Sequence, residues 1–200
     1  MRKLELLAPI VALSLAAAPV RAGTEAFHVS LDGLAAFPVG TLAGGRSAAD
    51  AMDTGFGLKA EVLYDLAPAA RAGIAIAGIF DDAEALVGPA RVPADLTAIP
   101  VHAVFELHTP RRARFGAYGE AGFGMTAATL RPKGLGAAET RSQTAFSFLA
   151  GGGLSLEVAG DWQARVGALY EQAVTGEGEV WAKGDDPKFV LLTLGAHFHR

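Results

Sequence analysis

The 200-residue chain contains no cysteine. Its absence excludes a disulfide framework, a thiol nucleophile and a cysteine-based metal site. It also leaves no residue for a lipoprotein anchor, so none is expected. Methionine (3), tryptophan (2) and tyrosine (3) are scarce. No run of like charges marks a nucleic-acid surface. No P-loop, HExxH or dinucleotide fingerprint is present, and no histidine spacing matches a metal motif. Cofactors are therefore not expected. Beyond the N-terminus there is no apolar run long enough for a membrane-crossing helix.

That N-terminus has the form of a signal peptide. Arg2 and Lys3 precede an apolar stretch from Leu6 to Val20, and Val20-Arg21-Ala22 offers small residues at a cleavage site. Removal of residues 1–22 takes away Arg2, Lys3, Arg21 and Glu5. Basic and acidic residues fall from 17 and 21 to 14 and 20, and the net charge becomes −6. Residues 23–200 are expected to form one domain, in keeping with their length.

What fills that domain is period-two alternation. In Ile99 to Leu107 the apolar Ile99, Val101, Ala103, Phe105 and Leu107 share one parity, while His102, Glu106 and His108 share the other. From Phe115 to Met125 the pattern recurs, with Arg114, Tyr118, Glu120 and several glycines on the second parity. Alternation over about 11 residues signals a strand long enough to cross a bilayer at a tilt. Eight such strands follow: 26–39, 55–66, 71–80, 99–109, 114–130, 144–157, 162–172 and 188–199. Their connections alternate long and short. Segments 40–54, 81–96, 131–141 and 173–187 are long and polar, and the other three are tight turns. The expected fold is all-β, an eight-stranded antiparallel up-and-down transmembrane β-barrel with a lipid-facing exterior and a polar lumen.

Aromatics agree with this register. Phe27, Tyr64, Phe115, Trp162 and Phe198 fall outward near the turn end. Phe37, Phe56, Phe80, Phe146 and Tyr170 fall outward near the loop end. Two belts of rings match two membrane interfaces.

The inward parity carries Asp32, Lys59, Glu61, Asp65, Arg71, Glu106, Arg114, Glu120, Glu157, Arg165 and Glu171. An eight-stranded barrel is just wide enough for side chains to fill it, so opposite charges are expected to pair into a plug. A gated ion path is the alternative. All five histidines are inward. His28, His197 and His199 gather at the turn end, where polar filling is favoured over a metal site or a pH switch. Catalysis finds little support, because no Ser/His or Asp/His constellation assembles at the loop rim. The loop acids Asp81, Asp82, Asp185 and Asp186 are expected as solvated charge.

The pattern resembles the small outer-membrane β-barrel superfamily, the OmpA/OmpX/OmpW-like group. The resemblance is carried by GFGLKAEVLYDLAP, IPVHAVFELHTP, RFGAYGEAGFG, TAFSFLAGGGLSLEVAGDWQARVGALYE and the closing VLLTLGAHF, which departs from the usual ending in that His199 and Arg200 follow Phe198. It implies a bacterial outer-membrane location and a porin-like barrel in contact with outer-membrane lipids and lipopolysaccharide. It also implies insertion by the barrel-assembly machinery. No peptidoglycan-binding domain, no nucleic acid and no enzymatic activity are expected. Two rivals remain. One is a lipocalin-like small-ligand carrier, which would invert the two faces. The other is a lipid A-modifying barrel enzyme.

Overall fold

A computed structural model describes residues 27–42, 46–87, 90–109, 114–133, 140–175, 180–181 and 186–199. The expected signal peptide, the 110–113 turn and Asp185 lie outside the described residues. The chain forms eight strands: β1 (Phe27–Val39), β2 (Gly55–Ala67), β3 (Ala70–Val87), β4 (Ala90–His108), β5 (Phe115–Pro132), β6 (Arg141–Ala159), β7 (Trp162–Val174) and β8 (Lys188–His199). Each pairs antiparallel with its sequence neighbour, and β1 pairs with β8, so the sheet closes into a barrel.

Closure follows from the alternation. A strand with one greasy and one polar face must put both in suitable surroundings, and a closed sheet leaves no unpaired edge in lipid. The outward parity is solvent-exposed and apolar, as at Phe115 (73%), Leu194 (69%) and Phe56 (67%). Rings meet across strands in the turn-end belt, with Phe27 and Tyr64 centroids 5.5 Å apart and Trp162 and Phe198 5.0 Å apart. At the 158–161 turn Gly160 adopts φ +54°, a conformation that glycine reaches without steric cost.

Two expectations need correction. The segments 81–96 and 131–141 are not simply loops. β3 runs on to Val87 and β4 starts at Ala90, while β5 continues to Pro132 and β6 starts at Arg141. These strands reach 18 or 19 residues, against 12 or 13 in the other four. A tilted crossing takes about 9–11 residues, so β3–β6 project beyond the loop-end belt. The alternation persists there, but its outward residues are Asp82, Glu84, Arg91 and Asp95 instead of aliphatics. Charge on that face made the stretch resemble a loop. Its inward residues Ala85, Ala94, Leu96, Ala128 and Leu130 are buried. They share a core with Ala48 and Met52 from the segment after β1, which holds a short 3-10 turn at Ala48–Asp50, and with Trp181.

The second correction concerns the interior, which is polar only in part. Leu34, Ile79, Leu149, Leu169, Phe189 and Leu191 belong to the buried hydrophobic cluster and lie on the inward face toward the loop end. The paired charges occupy the middle and the turn end, while Glu171 lies in register with Leu149 and Phe189 of this cluster.

Candidate functional site

The buried charges form three connected groups. At the turn end, Glu106 on β4 accepts from Arg71 Nη1 at 2.8 Å and from Arg165 Nη2 by a short bond. Arg71 also binds Asp65 through Nε at 3.0 Å. Arg165 lies 3.6 Å from Glu61 and stacks on Tyr118, its guanidinium carbon 3.7 Å from the ring centroid. His28 and His197 stack beside this cluster.

Both ring nitrogens of His197 face a guanidinium, which can only donate. Arg165 Nη1 lies 3.2 Å from Nδ1 and Arg71 Nη1 lies 3.5 Å from Nε2. His197 Nε2 also lies 3.1 Å from His28 Nδ1. His28 donates from Nε2 to Asp65 Oδ1 at 2.9 Å. A line of polar contacts thus runs from Arg165 through both imidazoles to Asp65, the partly exposed residue at the mouth.

In the middle, Lys59 Nζ reaches Glu61 Oε1 at 2.5 Å and both oxygens of Glu120 at 2.9 Å. Ser30 donates to Glu61 Oε2 at 2.8 Å. Asp32 is buried beside them. Its carboxylate occupies space that a side chain at Gly195 would fill, since a Cβ there would stand 2.1 Å from Asp32 Oδ1.

Nearer the loop end, Thr126 Oγ1 lies 2.8 Å from Ser147 Oγ and 3.1 Å from Glu171 Oε1, and His102 Nε2 lies 2.9 Å from Ser147. All four side chains are buried. The Ser147–His102 contact was not legible in the sequence, although both residues lie on the inward parity. Its geometry is not that of a hydrolytic triad. The carboxylate meets the serine side through Thr126, and among the described residues no acid is bonded to the imidazole.

Asp32, Lys59, Glu61, Arg71, Glu106, Glu120, Arg165 and Glu171 are therefore buried together in the interior. Arg114 and Glu157 are not part of this group. Both are exposed at the turn-end rim, where the Glu157 amide donates to the Arg114 carbonyl. They lie at the strand ends, where inward parity opens onto solvent. The His199 backbone pairs with His28, and its side chain lies outside what is described. Among the described residues, no group of three His, Cys, Asp or Glu could hold a metal ion. A cavity of about 30 Å³ beside Arg71, Glu106 and Tyr118 has room for about one water.

One titratable group stands apart, just past the loop-end belt residue Phe80. Asp81 is 7% exposed beneath the 51–53 segment. That segment is tied down by Asp53 N–H to the Asp82 carbonyl (2.9 Å) and Glu84 N–H to the Ala51 carbonyl (3.0 Å). Burial, and then the charges of Asp53 and Asp82, push the Asp81 carboxyl up to about 7. On the outer surface Lys133 bridges Asp82 (2.5 Å) and Asp95 (2.7 Å), and these bonds raise its ammonium above the usual lysine range.

Known proteins share this architecture. Neisserial surface protein A matches with TM-score 0.59 and 16% identity, over 86% of this chain and 97% of that one. OprG from Pseudomonas aeruginosa matches with TM-score 0.55 and 14% identity, over 88% and 95%. Ail of Yersinia pestis, solved in complex with the heparin analogue sucrose octasulfate, matches with TM-score 0.52 and 17% identity, over 88% and 99%. At these identities the likeness is one of fold. Among curated protein sequences none matches this chain significantly. The family model for the outer membrane protein beta-barrel domain matches residues 8–198. The chain belongs to that family and is a β-barrel protein of the bacterial outer membrane.

Proposed function

We propose that this barrel is a closed, non-catalytic outer-membrane protein that presents the β3–β6 projection to the exterior. It makes contact with outer-membrane lipids and lipopolysaccharide, and the barrel-assembly machinery inserts it. The observation that carries the reading is the filled interior. Paired charges occupy the turn-end half, and Leu34, Ile79, Leu149, Leu169 and Leu191 occupy the space above them. An ion entering from the turn end would meet side chains packed across the bore, aliphatic ones together with the bonded His102, Ser147, Thr126 and Glu171, where a charge without a partner is costly.

Planar-bilayer recording of the purified protein at neutral pH tests this. The expected result is no steady current. Stable stepwise currents would replace the closed reading with an ion path. The absence of catalysis is tested by incubation with lipid A, whose mass spectrum is expected to stay unchanged. Loss of an acyl chain would restore the lipid-modifying alternative.

A further inference from the structure

The exterior of the barrel is not evenly packed. A shallow, widely open groove of about 500 Å³ lies along β1 on the lipid-facing side. Gly33 and Ala35 form its floor. Phe56 walls one side, and Leu192 and Leu194 wall the other, with Val166 beyond. The register explains the shape, because Ala35 pairs with both Phe56 and Leu192, and Gly33 pairs with Leu194. Two small residues therefore sit between two rows of large ones.

Beyond the upper end of the groove, past Val190, the same row of β8 reaches a lysine. Lys188 lies on the same outward row of β8 as Val190, Leu192 and Leu194. Val190 pairs with the belt residues Phe37 and Tyr170, so Lys188 stands at headgroup level. Its stem leans across the seam toward β1. A Cβ placed on Gly40 would lie 3.3 Å from Lys188 Cδ. Among the described residues Lys188 makes no ion pair.

The dimensions select the occupant. From Lys188 to Leu194 the strand rises about 20 Å. At a tilt of about 45° this is roughly 14 Å of depth, which is one leaflet of a hydrocarbon core about 30 Å thick. We propose that the β1/β8 groove seats an acyl chain of lipid A, the phosphorylated glycolipid of the outer leaflet, with a phosphate on Lys188. The ammonium supplies a point charge for phosphate, and the groove supplies van der Waals contact along a straight chain. The inference rests on the outer-membrane lipid contact proposed above and names its site.

The test uses the folded full-length barrel in phosphatidylcholine nanodiscs. These are doped either with diphosphorylated lipid A, with the same lipid after removal of its phosphates, or with phosphatidylglycerol. Native mass spectrometry then counts the lipid retained on each barrel. The expected result is one diphosphorylated lipid A per barrel, with retention at least tenfold lower for the other two lipids. Gly33→Leu fills the floor without strain, since a Cβ at Gly33 meets nothing closer than the Leu194 carbonyl at 3.7 Å. It is expected to abolish retention. Lys188→Gln is expected to retain diphosphorylated and dephosphorylated lipid A equally, both at the low level that the parent shows for the dephosphorylated lipid. Equal retention of phosphatidylglycerol overturns the proposal, as does retention unchanged in Gly33→Leu, or a barrel dimer in place of the lipid adduct. Gel mobility of the same samples, unheated against boiled, reports separately on the barrel. A folded barrel without bound lipid A refutes the groove assignment and leaves the membrane reading standing.

Discussion

Glu106→Gln is the most informative single change. Glu106 is 1% exposed and is the only carboxylate that accepts from both Arg71 and Arg165 among the described residues. Glutamine keeps the shape and removes the charge. Its amide nitrogen then presents a donor to a guanidinium, which has no acceptor to offer. Arg71 retains the carboxylate of Asp65 at 3.0 Å, while the one carboxylate left to Arg165 is Glu61 at 3.6 Å. Removing one partner of a buried ion pair costs about 3–5 kcal/mol, and two cations each lose one carboxylate here, so a loss within that range is expected. Folded domains are stable by about 5–15 kcal/mol, so the loss is a large share. Urea unfolding in lipid vesicles, followed by tryptophan fluorescence, measures it. Glu157→Gln at the exposed rim is the control and should stay within about 0.5 kcal/mol of the parent. If Glu106→Gln loses no more than Glu157→Gln, the buried network does not hold the turn end together. Replacing Glu106 and Arg165 together by methionine should recover part of the loss, because no lone charge is left from that pair.

The Asp81 carboxyl is raised from 3.8 to about 7, so the fold favours its acid form. The 51–53 contact is then at full strength below about pH 4 and weakens as pH rises through 7. Protection factors of the Asp53 and Glu84 amides, which correct for the intrinsic base-catalysed rise in exchange rate, should fall over that interval, and Asp81→Asn should flatten the dependence. Persistent pH dependence in the variant would assign it to another group. At neutral pH, nitrogen-15 NMR should find His28 protonated on Nε2, where it donates to Asp65, and a bare Nε2 would refute that bond. Gly195→Ala should destabilise the barrel by about 1–3 kcal/mol through overpacking, since its Cβ would stand 2.2 Å from the Leu31 carbonyl as well as against Asp32. Unchanged urea unfolding would show that the seam yields.

The barrel was legible because lipid enforces a simple rule along every strand. Phe56, Phe115 and Leu194 announce the outer face by parity alone. Parity does not give height, and height decides much of the rest. Leu34 and Leu169 share the inward parity of Asp32 and Arg165, yet only the three-dimensional register separates an aliphatic layer from a charged one. The same limit placed Arg114 and Glu157 among the interior charges, although the strand ends expose them. The β3–β6 projection was hidden because water, not lipid, faces Asp82 and Glu84, so the outward face there is charged. Contacts between distant strands, such as His102 with Ser147 or Arg165 with Tyr118, depend on which strands curve toward one another. Alternation carries no information about that.

The notch at Gly195 has a consequence for how the chain ends meet. β1 and β8 are joined last in sequence terms, and their register is open to slippage by two residues, which would keep every side chain on its proper face. Such a slip would set Asp32 opposite Thr193 or His197 instead of Gly195, where its carboxylate has no space. The slip that sets Asp32 opposite His197 would also carry His197 from opposite Ser30 to opposite Asp32, away from the His28 imidazole it bonds. The first and last strands therefore carry a lock with one fitting position, and the cylinder closes in that position or meets a clash.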